Sequence, residues 1–364
     1  MNSNAILKIN TNIINQNIKV IKQYIGSNYT IIPVLKADMY GIGINNILGI
    51  IKENNMSIIA VAHILEAITI RELGYKDDIL ILIQPSKDDI VCAIENNLTI
   101  SCGDIDFLLY CQNLCYKYNR NLKLHMEIDV GMGRTGLSTE LVTQFLDIIS
   151  KCNFLSLDGI FAHLPSNTYN TETKKQINKF KNVINSLYYS NITYIHLFSS
   201  GGIENLFNKN STFYNSVRCG LGLLGYRSLN NNKKTLTTLP SIILYTYIIT
   251  IKEYRLGSKI GYNRYILKRN SKIGVIPIGF ADILIGYEAP GGYVVINGKK
   301  AEVISICMDT MMIDVTDVED INIGTKVYIW DNDIVKLEDW ATICNTSVYE
   351  IISLMSNRIE RIVE

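Results

Sequence analysis

Eight β-branched runs in this chain each end on a side chain that can do chemistry. In order, the run ends carry Lys36, His63, Gln84, Cys102, Asp129 with Arg134 close behind, His163, Ser199 with Ser200, and Arg218. If the runs are neighbouring parallel strands, an amine, two imidazoles, a thiol, a carboxylate, hydroxyls and guanidinium groups meet at one rim. Such a set can bond covalently to a carbonyl, move protons and hold anions. Taken singly, Lys36 is an ordinary strand-end lysine. The Ala-Asp-Met-Tyr-Gly-Ile-Gly that follows sets it apart.

The elements that must position these groups are legible as a pattern. The runs are Thr30–Leu35, Ser57–Ala62, Ile79–Ile83, Leu98–Ser101, Lys123–Asp129, Leu157–Ala162, Thr193–Phe198 and Ser216–Cys219. Most intervals hold a helical pattern, such as Glu140–Lys151 and Lys174–Leu187. Eight strands, each followed by a crossover, predict an α/β architecture, a (β/α)8 TIM-type barrel over residues 1–233, with reactive groups at the C-terminal strand ends. From residue 234 to 364 the runs are separated by Gly, Asn and Asp turns, and no long helix intervenes before Leu337–Cys344. That half predicts a mostly antiparallel β domain. Ala5–Ile9, within residues 1–10, can lend it a strand.

Composition removes several classes of function. The chain of 364 residues carries 35 Lys and Arg against 34 Asp and Glu, a formal net charge of +1 that gives no field for nucleic acid or an anionic membrane. Its eight cysteines form no Cys-x-x-Cys pair and fit free thiols in a reducing cytoplasm. No metal site is read from the sequence. The longest apolar stretch, Ile242–Ile251, is too short to span a bilayer, and the N-terminus has no secretory pattern.

The string VLKADMYGIG around Lys36 resembles the pyridoxal-phosphate (PLP) lysine motif of the alanine racemase family. The resemblance extends through MEIDVGMGRTG, GIFAHL, SSG at 199–201, VRCGLGLLG, GSKIGYNRY, IPIGFAD and ICMDTMMIDV, in the family's order and spacing. It implies that Lys36 carries PLP, which serves as an electron sink for a Cα carbanion. It implies that Tyr40, Ser199, Ser200 and the Gly220 and Leu221 amides hold the phosphate, glycine permitting close backbone approach. His163 would lie beside the cofactor. Arg218 would face the pyridine nitrogen and, being always charged, could not accept its proton. The nitrogen then stays unprotonated and the sink weaker, which favours returning a proton to Cα over transamination.

The same resemblance assigns the substrate carboxylate to Arg134 and the Met308 amide, with His196 and Asp309 in support. Lys36 and Tyr262 would work on opposite faces of Cα, with Tyr262 and Met308 supplied by the second subunit of a homodimer. A tyrosine with an ordinary pKa near ~10 needs help to act as a base near neutrality, and His163 and Arg218 are the candidates.

Four departures from the family pattern bear on function. In LHMEID, Leu124, Met126 and Ile128 share one face, so Glu127 is expected to point into the barrel. There it would replace the family's carbamylated lysine and orient Arg134. Asn357 stands where many members carry a large residue beside the phosphate and the substrate side chain. Phe280 and Ser305 alter the access channel, and Ser199 replaces an asparagine. Together these are similar to the serine racemase branch associated with vancomycin resistance. The expected activity is therefore interconversion of L- and D-serine, and of L- and D-alanine, supplying D-amino acid for peptidoglycan precursors. The alternative is an alanine racemase with alanine as main substrate. That branch carries an N-terminal membrane domain, of which nothing is seen here, so the chain is expected to be a soluble cytoplasmic catalytic part. A barrel decarboxylase would need a late Cys-centred block that is not found, and an amino-acid sensor would need neither Lys36 nor Tyr262.

Overall fold

The computed structural model describes residues 5–187, 192–226, 236–262, 264–283 and 291–364. It divides into two compact units. One comprises the chain up to Ile14, Tyr40–Asn46 and Leu239–Glu364; the other comprises Asn15–Met39 and Ile47–Thr238. The boundary expected at 233 and 234 lies outside the described residues.

After β1 (Ala5–Ile9), the second of these units is built on β2 (Thr30–Pro33), β3 (Ile58–Val61), β4 (Asp78–Ile81), β5 (Thr99–Cys102), β6 (Leu122–Ile128), β7 (Leu155–Ala162), β8 (Tyr194–His196) and β9 (Ser216–Cys219). These eight strands form one parallel sheet in the order β2-β9-β8-β7-β6-β5-β4-β3. A bridge between Val34 and Ala60, with the Leu35 N–H donating to Ala60 O at 2.8 Å, brings the two ends together, so the barrel is nearly closed. Every expected strand is present.

The reason is composition. Strands covered on both faces need apolar residues at every position, and Ile58–Val61 is buried throughout. Ile32, Val34, Ile58, Ala60, Leu80 and Tyr194 form one buried cluster. The crossover helices begin where the sequence caps them. Asp104 accepts the Phe107 N–H ahead of Ile105–Tyr118, and Asn170 accepts the Thr173 N–H ahead of Thr171–Ser186.

The remaining strands are β10 (Ile242–Tyr247), β11 (Thr250–Tyr254), β12 (Lys259–Ile260), β13 (Tyr265–Ile266), β14 (Ser271–Ile276), β15 (Tyr293–Ile296), β16 (Lys299–Ile306), β17 (Met311–Asp314), β18 (Lys326–Trp330) and β19 (Glu360–Val363). Nine strands, β1 among them, make a sheet in the order β11-β14-β17-β16-β15-β18-β10-β1-β19, while β12 and β13 pair as a separate hairpin. All neighbours are antiparallel except β1 and β19. Strand β10 alternates buried and half-buried side chains, as a sheet covered on one face requires. The helix expected at Leu337–Cys344 spans Leu337–Ile343, and a second one, Val348–Ser353, follows it. Among the described residues no helix is long and apolar enough to cross a membrane.

Candidate active site

The chain leaves β2 at the rim in an unusual way. Ala37, Asp38, Met39 and Tyr40 all have positive φ, between 50 and 57°, so the turn after Lys36 is left-handed. For residues other than glycine this costs about 1–2 kcal/mol each, so the surroundings must impose it. The Ala37 N–H donates to Glu66 Oε1 at 2.6 Å, and the Met39 N–H donates to Leu35 O at 3.0 Å. The other oxygen of Glu66 accepts the Ala62 and His63 N–H groups, so one carboxylate ties this turn to the end of β3. Lys36 itself is exposed at the rim. Partial burial, then the charges of Arg134 and Arg218, lower its pKa, with Glu66 opposing them.

Arg218, on β9, is buried and donates to many acceptors. Nη1 reaches His196 Nδ1 at 2.7 Å and His196 O at 3.1 Å; Nη2 reaches Ala162 O at 2.9 Å, Leu197 O at 3.2 Å and His163 Nδ1 at 3.4 Å. Burial lowers its pKa to about 10, which still leaves it a cation at neutral pH. His163 is different. Burial, then Arg218, Arg134 and Lys36, push it down to about 3, so it is a neutral imidazole. Of the two supporting groups expected, Arg218 is the cation and His163 offers hydrogen bonds.

A polar chain continues inward from Arg218. Guanidinium only donates, so His196 Nδ1 must accept, leaving the His196 proton on Nε2. His196 Nε2 lies 2.9 Å from His125 Nδ1, which then accepts in turn. The remaining His125 proton, on Nε2, faces Asp158 Oδ2 at 3.9 Å. The register of β6 against β7 shifts between Leu124 and His125, skipping Asp158. Next to it Gly159 is required, because a Cβ there would stand 2.5 Å from the His125 ring.

Arg134 follows a turn held by Asp129, whose Oδ1 accepts the N–H groups of Gly131, Met132 and Gly133 at 2.8, 2.9 and 3.2 Å. Its guanidinium is half-exposed. Glu127 is buried, as its strand face requires, and its Oε1 lies 4.0 Å from Arg134 Nη2. That is an ion pair without a hydrogen bond, weaker than the bonded orientation expected. Burial raises the Glu127 pKa, while the Thr135 hydroxyl, Arg134 and Arg218 oppose it.

Ser200 is buried, and its Oγ accepts the Gly220 N–H at 3.1 Å and the Gly222 N–H at 3.2 Å. The Gly220 and Gly222 amides thus surround this hydroxyl, beside the Leu221 amide expected at the phosphate. Leu221 opens a 3-10 turn, a position whose N–H has no acceptor within the turn. Ser199 is half-buried immediately before Ser200.

The structure therefore gathers Lys36, Glu127, Arg134, His163, His196, Ser200, Arg218, Gly220 and Leu221 within the barrel unit. Tyr40 is buried in the other unit, its ring 5.5 Å from that of Tyr349. Tyr262, between β12 and β13, is 73% exposed, Met308 is 56% exposed, and Asp309 and Asn357 are exposed too. Phe280 is partly exposed, and Ser305 is buried beneath Gly261. At two further rim groups, burial pushes the Cys102 thiol up to about 12, and Gln84 accepts the Gly103 N–H. Glu66, His125 and Asp158 escape the sequence reading, although Glu66 three residues after His63 is a helix-start signature.

A parallel barrel with a lysine, two arginines and a neutral histidine at its strand ends, joined to an antiparallel β domain, defines a class of barrel enzymes that hold an anionic carbonyl cofactor. Residues 9–228 match the family "Alanine racemase, N-terminal domain" and residues 242–363 match "Alanine racemase, C-terminal domain"; the chain belongs to the alanine racemase family. That family is PLP-dependent, and PLP is the cofactor of this chain. It is 36% identical over 351 residues to an alanine racemase of Fusobacterium nucleatum subsp. nucleatum, covering 93% of this chain and 94% of that one. An alanine racemase structure from Clostridium difficile 630 superposes with a TM-score of 0.91 at 26% identity, covering 100% of this chain and 96% of the other. A histidine racemase from Leuconostoc mesenteroides subsp. sake is also similar, with a TM-score of 0.89, 22% identity and coverage of 100% and 98%. That last likeness shows the fold alone, so the fold does not choose the substrate side chain.

Proposed function

We propose that this chain is an alanine racemase with alanine as its main substrate. The observation that carries the reading is the meeting of Lys36, Arg134, His163 and Arg218 at one barrel rim in a member of this family. Relatives named alanine racemase support alanine over the serine-preferring expectation. The residues present fit PLP. Lys36 offers an amine with a lowered pKa, the Ser200 hydroxyl, whose oxygen accepts the Gly220 and Gly222 amides, and the Leu221 amide offer donors for a phosphate, and Arg218 offers a donor that cannot take up a proton. Ser199 and Tyr40 are further candidates for the phosphate. When bound, PLP supplies the electron sink that makes a Cα proton removable.

The chain's own groups do the rest. Arg134 binds the substrate carboxylate, with the Met308 amide as a second donor, and Glu127 restrains Arg134. Lys36 Nζ holds or moves the proton on one face of Cα and the Tyr262 hydroxyl does so on the other. Arg218 supplies the positive field, and neutral His163 supplies a hydrogen bond. His196 fixes Arg218. Tyr262 and Met308 come from a second copy in a homodimer, a reading supported by their exposure. The division at 233 and 234, a cytoplasmic location and a D-alanine supply for peptidoglycan belong to the same proposal.

Serine is a second substrate on one observation: Asn357 is a short polar side chain, exposed on its turn. A hydrogen bond from it to a hydroxymethyl group is worth about 0.5–1.5 kcal/mol, or roughly 2- to 12-fold. That is too little to exclude alanine. The test is turnover of L-Ala and L-Ser by the PLP-loaded protein, read as appearance of the D form. Faster turnover of alanine is expected. No D-alanine at all contradicts the proposal, and a preference for serine restores the other reading.

A further inference from the structure

Three residues expected at the substrate or its access path stand on three different turns of the β domain: Phe280 after β14, Met308 after β16, and Asn357 before β19. One arginine joins all three turns. Arg358 donates from Nε to Asp282 Oδ1 at 2.8 Å and from Nη2 to Asp282 Oδ2 at 3.0 Å, and its Nη1 donates to Asp309 Oδ1 at 2.8 Å. Asp282 is buried; its Oδ2 also accepts the Gly279 N–H at 2.9 Å, and its carbonyl accepts the Ser356 N–H at 2.8 Å. The first two turns are laced directly, with Phe280 N–H donating to Cys307 O at 3.1 Å and Ala281 N–H to Met308 O at 3.0 Å. They touch so closely that a Cβ on Gly279 would stand 2.3 Å from both the Cys307 and the Met308 carbonyl oxygens.

The two halves of this clamp differ. A buried carboxylate needs a counter-charge, so the Asp282 half belongs to the fold. The Asp309 half joins two side chains that are more than half exposed, and such pairs add little to stability. What the Asp309 half does fix is the position of the Met308–Asp309 turn relative to Asn357, the neighbour of Arg358 in the chain.

We propose that Arg358 is a positioning residue for substrate recognition, its three-pronged hold fixing at once the Met308 backbone, which reaches the site of the second copy, and the Asn357 side chain, which reaches this chain's own. The proposal rests on the reading above that Met308 and Asn357 face the substrate. A lysine cannot reproduce it, because a single ammonium lacks the planar fork that serves two carboxylates at once.

The test compares wild type, Asp309→Asn, Arg358→Lys and the double variant as PLP-loaded full chains. KM and kcat are measured for L-Ala and L-Ser, together with the melting midpoint and amide hydrogen exchange at Phe280 and Ala281. Asp309→Asn is expected to raise KM by about 2- to 5-fold, more than it lowers kcat. The Ser-to-Ala ratio should shift, the midpoint should hold, and exchange at Ala281 should quicken. Arg358→Lys should raise KM further, and adding Asp309→Asn to it should change nothing more. Unchanged KM in Asp309→Asn, additive effects in the double variant, or equal loss of kcat for both substrates with a lowered midpoint would each overturn the proposal. A wild type inactive on alanine sinks the proposed function instead, which keeps the two failures distinct.

Discussion

Arg218 and Tyr262 are expected to serve one reaction, yet the chain treats them in opposite ways. Arg218 is 4% exposed and donates to two histidines and three carbonyls of the barrel. Tyr262 is 73% exposed on a short hairpin of the β domain. The barrel half of the proposed site is held in place by its own interior. The β-domain half presents Tyr262, Met308, Asp309 and Asn357 at the surface, with the last three on turns tied by Arg358. Burial and hydrogen bonding make the first half a matter of folding as well as catalysis. In the second half, function and stability come apart.

The sharpest way to break this contrast is to substitute one residue on each side. Tyr262→Phe should lower kcat/KM by on the order of 10²–10⁴, the range for a lost acid–base group, with no change in melting midpoint. Arg218→Ala should abolish racemisation and also destabilise the fold by about 3 kcal/mol or more, because it strands buried acceptors on His196, Ala162 and Leu197. Denaturant unfolding of both variants beside steady-state rates checks this. Equal stability losses would erase the distinction.

A second effect should appear with pH. Burial comes first among the causes lowering the pKa of His125, His163 and His196, so all three stay neutral in the fold. The unfolded chain binds protons on them below about 6.5 while the folded one does not, so stability is full above that pH and falls on acidification. For His163 the fall continues to its folded value of about 3. Carboxylates held below their ordinary range add losses only further down, and Glu127, raised by burial, acts with the opposite sign, so unfolding free energies between about pH 6.5 and 5, measured in a Glu127→Gln background, report the histidines. A flat profile there would mean that the three are not buried neutral.

The smallest effect is expected at Glu127. At 4.0 Å from a half-exposed guanidinium, its pull on Arg134 is worth up to about 1 kcal/mol, so Glu127→Gln should raise KM by roughly 2- to 5-fold and leave kcat nearly alone. Activity should not depend on dissolved CO2. A loss of 100-fold would make Glu127 far more than a restraint on Arg134.

The barrel was legible because fully buried parallel strands leave runs such as Ile58–Val61 with no polar position. Caps such as Asp104 and Asn170 are written locally as well. The rim residues were legible because a strand end is a position in a pattern. What the pattern does not carry is long-range. Nothing in Ala37-Asp38-Met39-Tyr40 spells out a left-handed turn: Ala, Met and Tyr avoid positive φ, and the Glu66 carboxylate that takes the Ala37 N–H lies far along the chain. The neutral state of His163 depends first on burial and then on cations from three other strand ends. Asp158 meets His125 only through a register shift between β6 and β7. Asn357 drew attention as a departure, while Arg358 beside it, which ties three turns together, gave no signal until Asp282 and Asp309 were seen at its ends.

In the proposed enzyme one chain supplies the barrel half of the site and a second copy supplies Tyr262. Mixing Lys36→Ala and Tyr262→Phe proteins, each inactive alone, tests it most directly. Random exchange of subunits leaves half the dimers mixed, each with one intact site of two, so about a quarter of wild-type alanine racemisation should return. Mixtures that exchange subunits, verified by a mass label, and yet stay inactive would contradict the shared site.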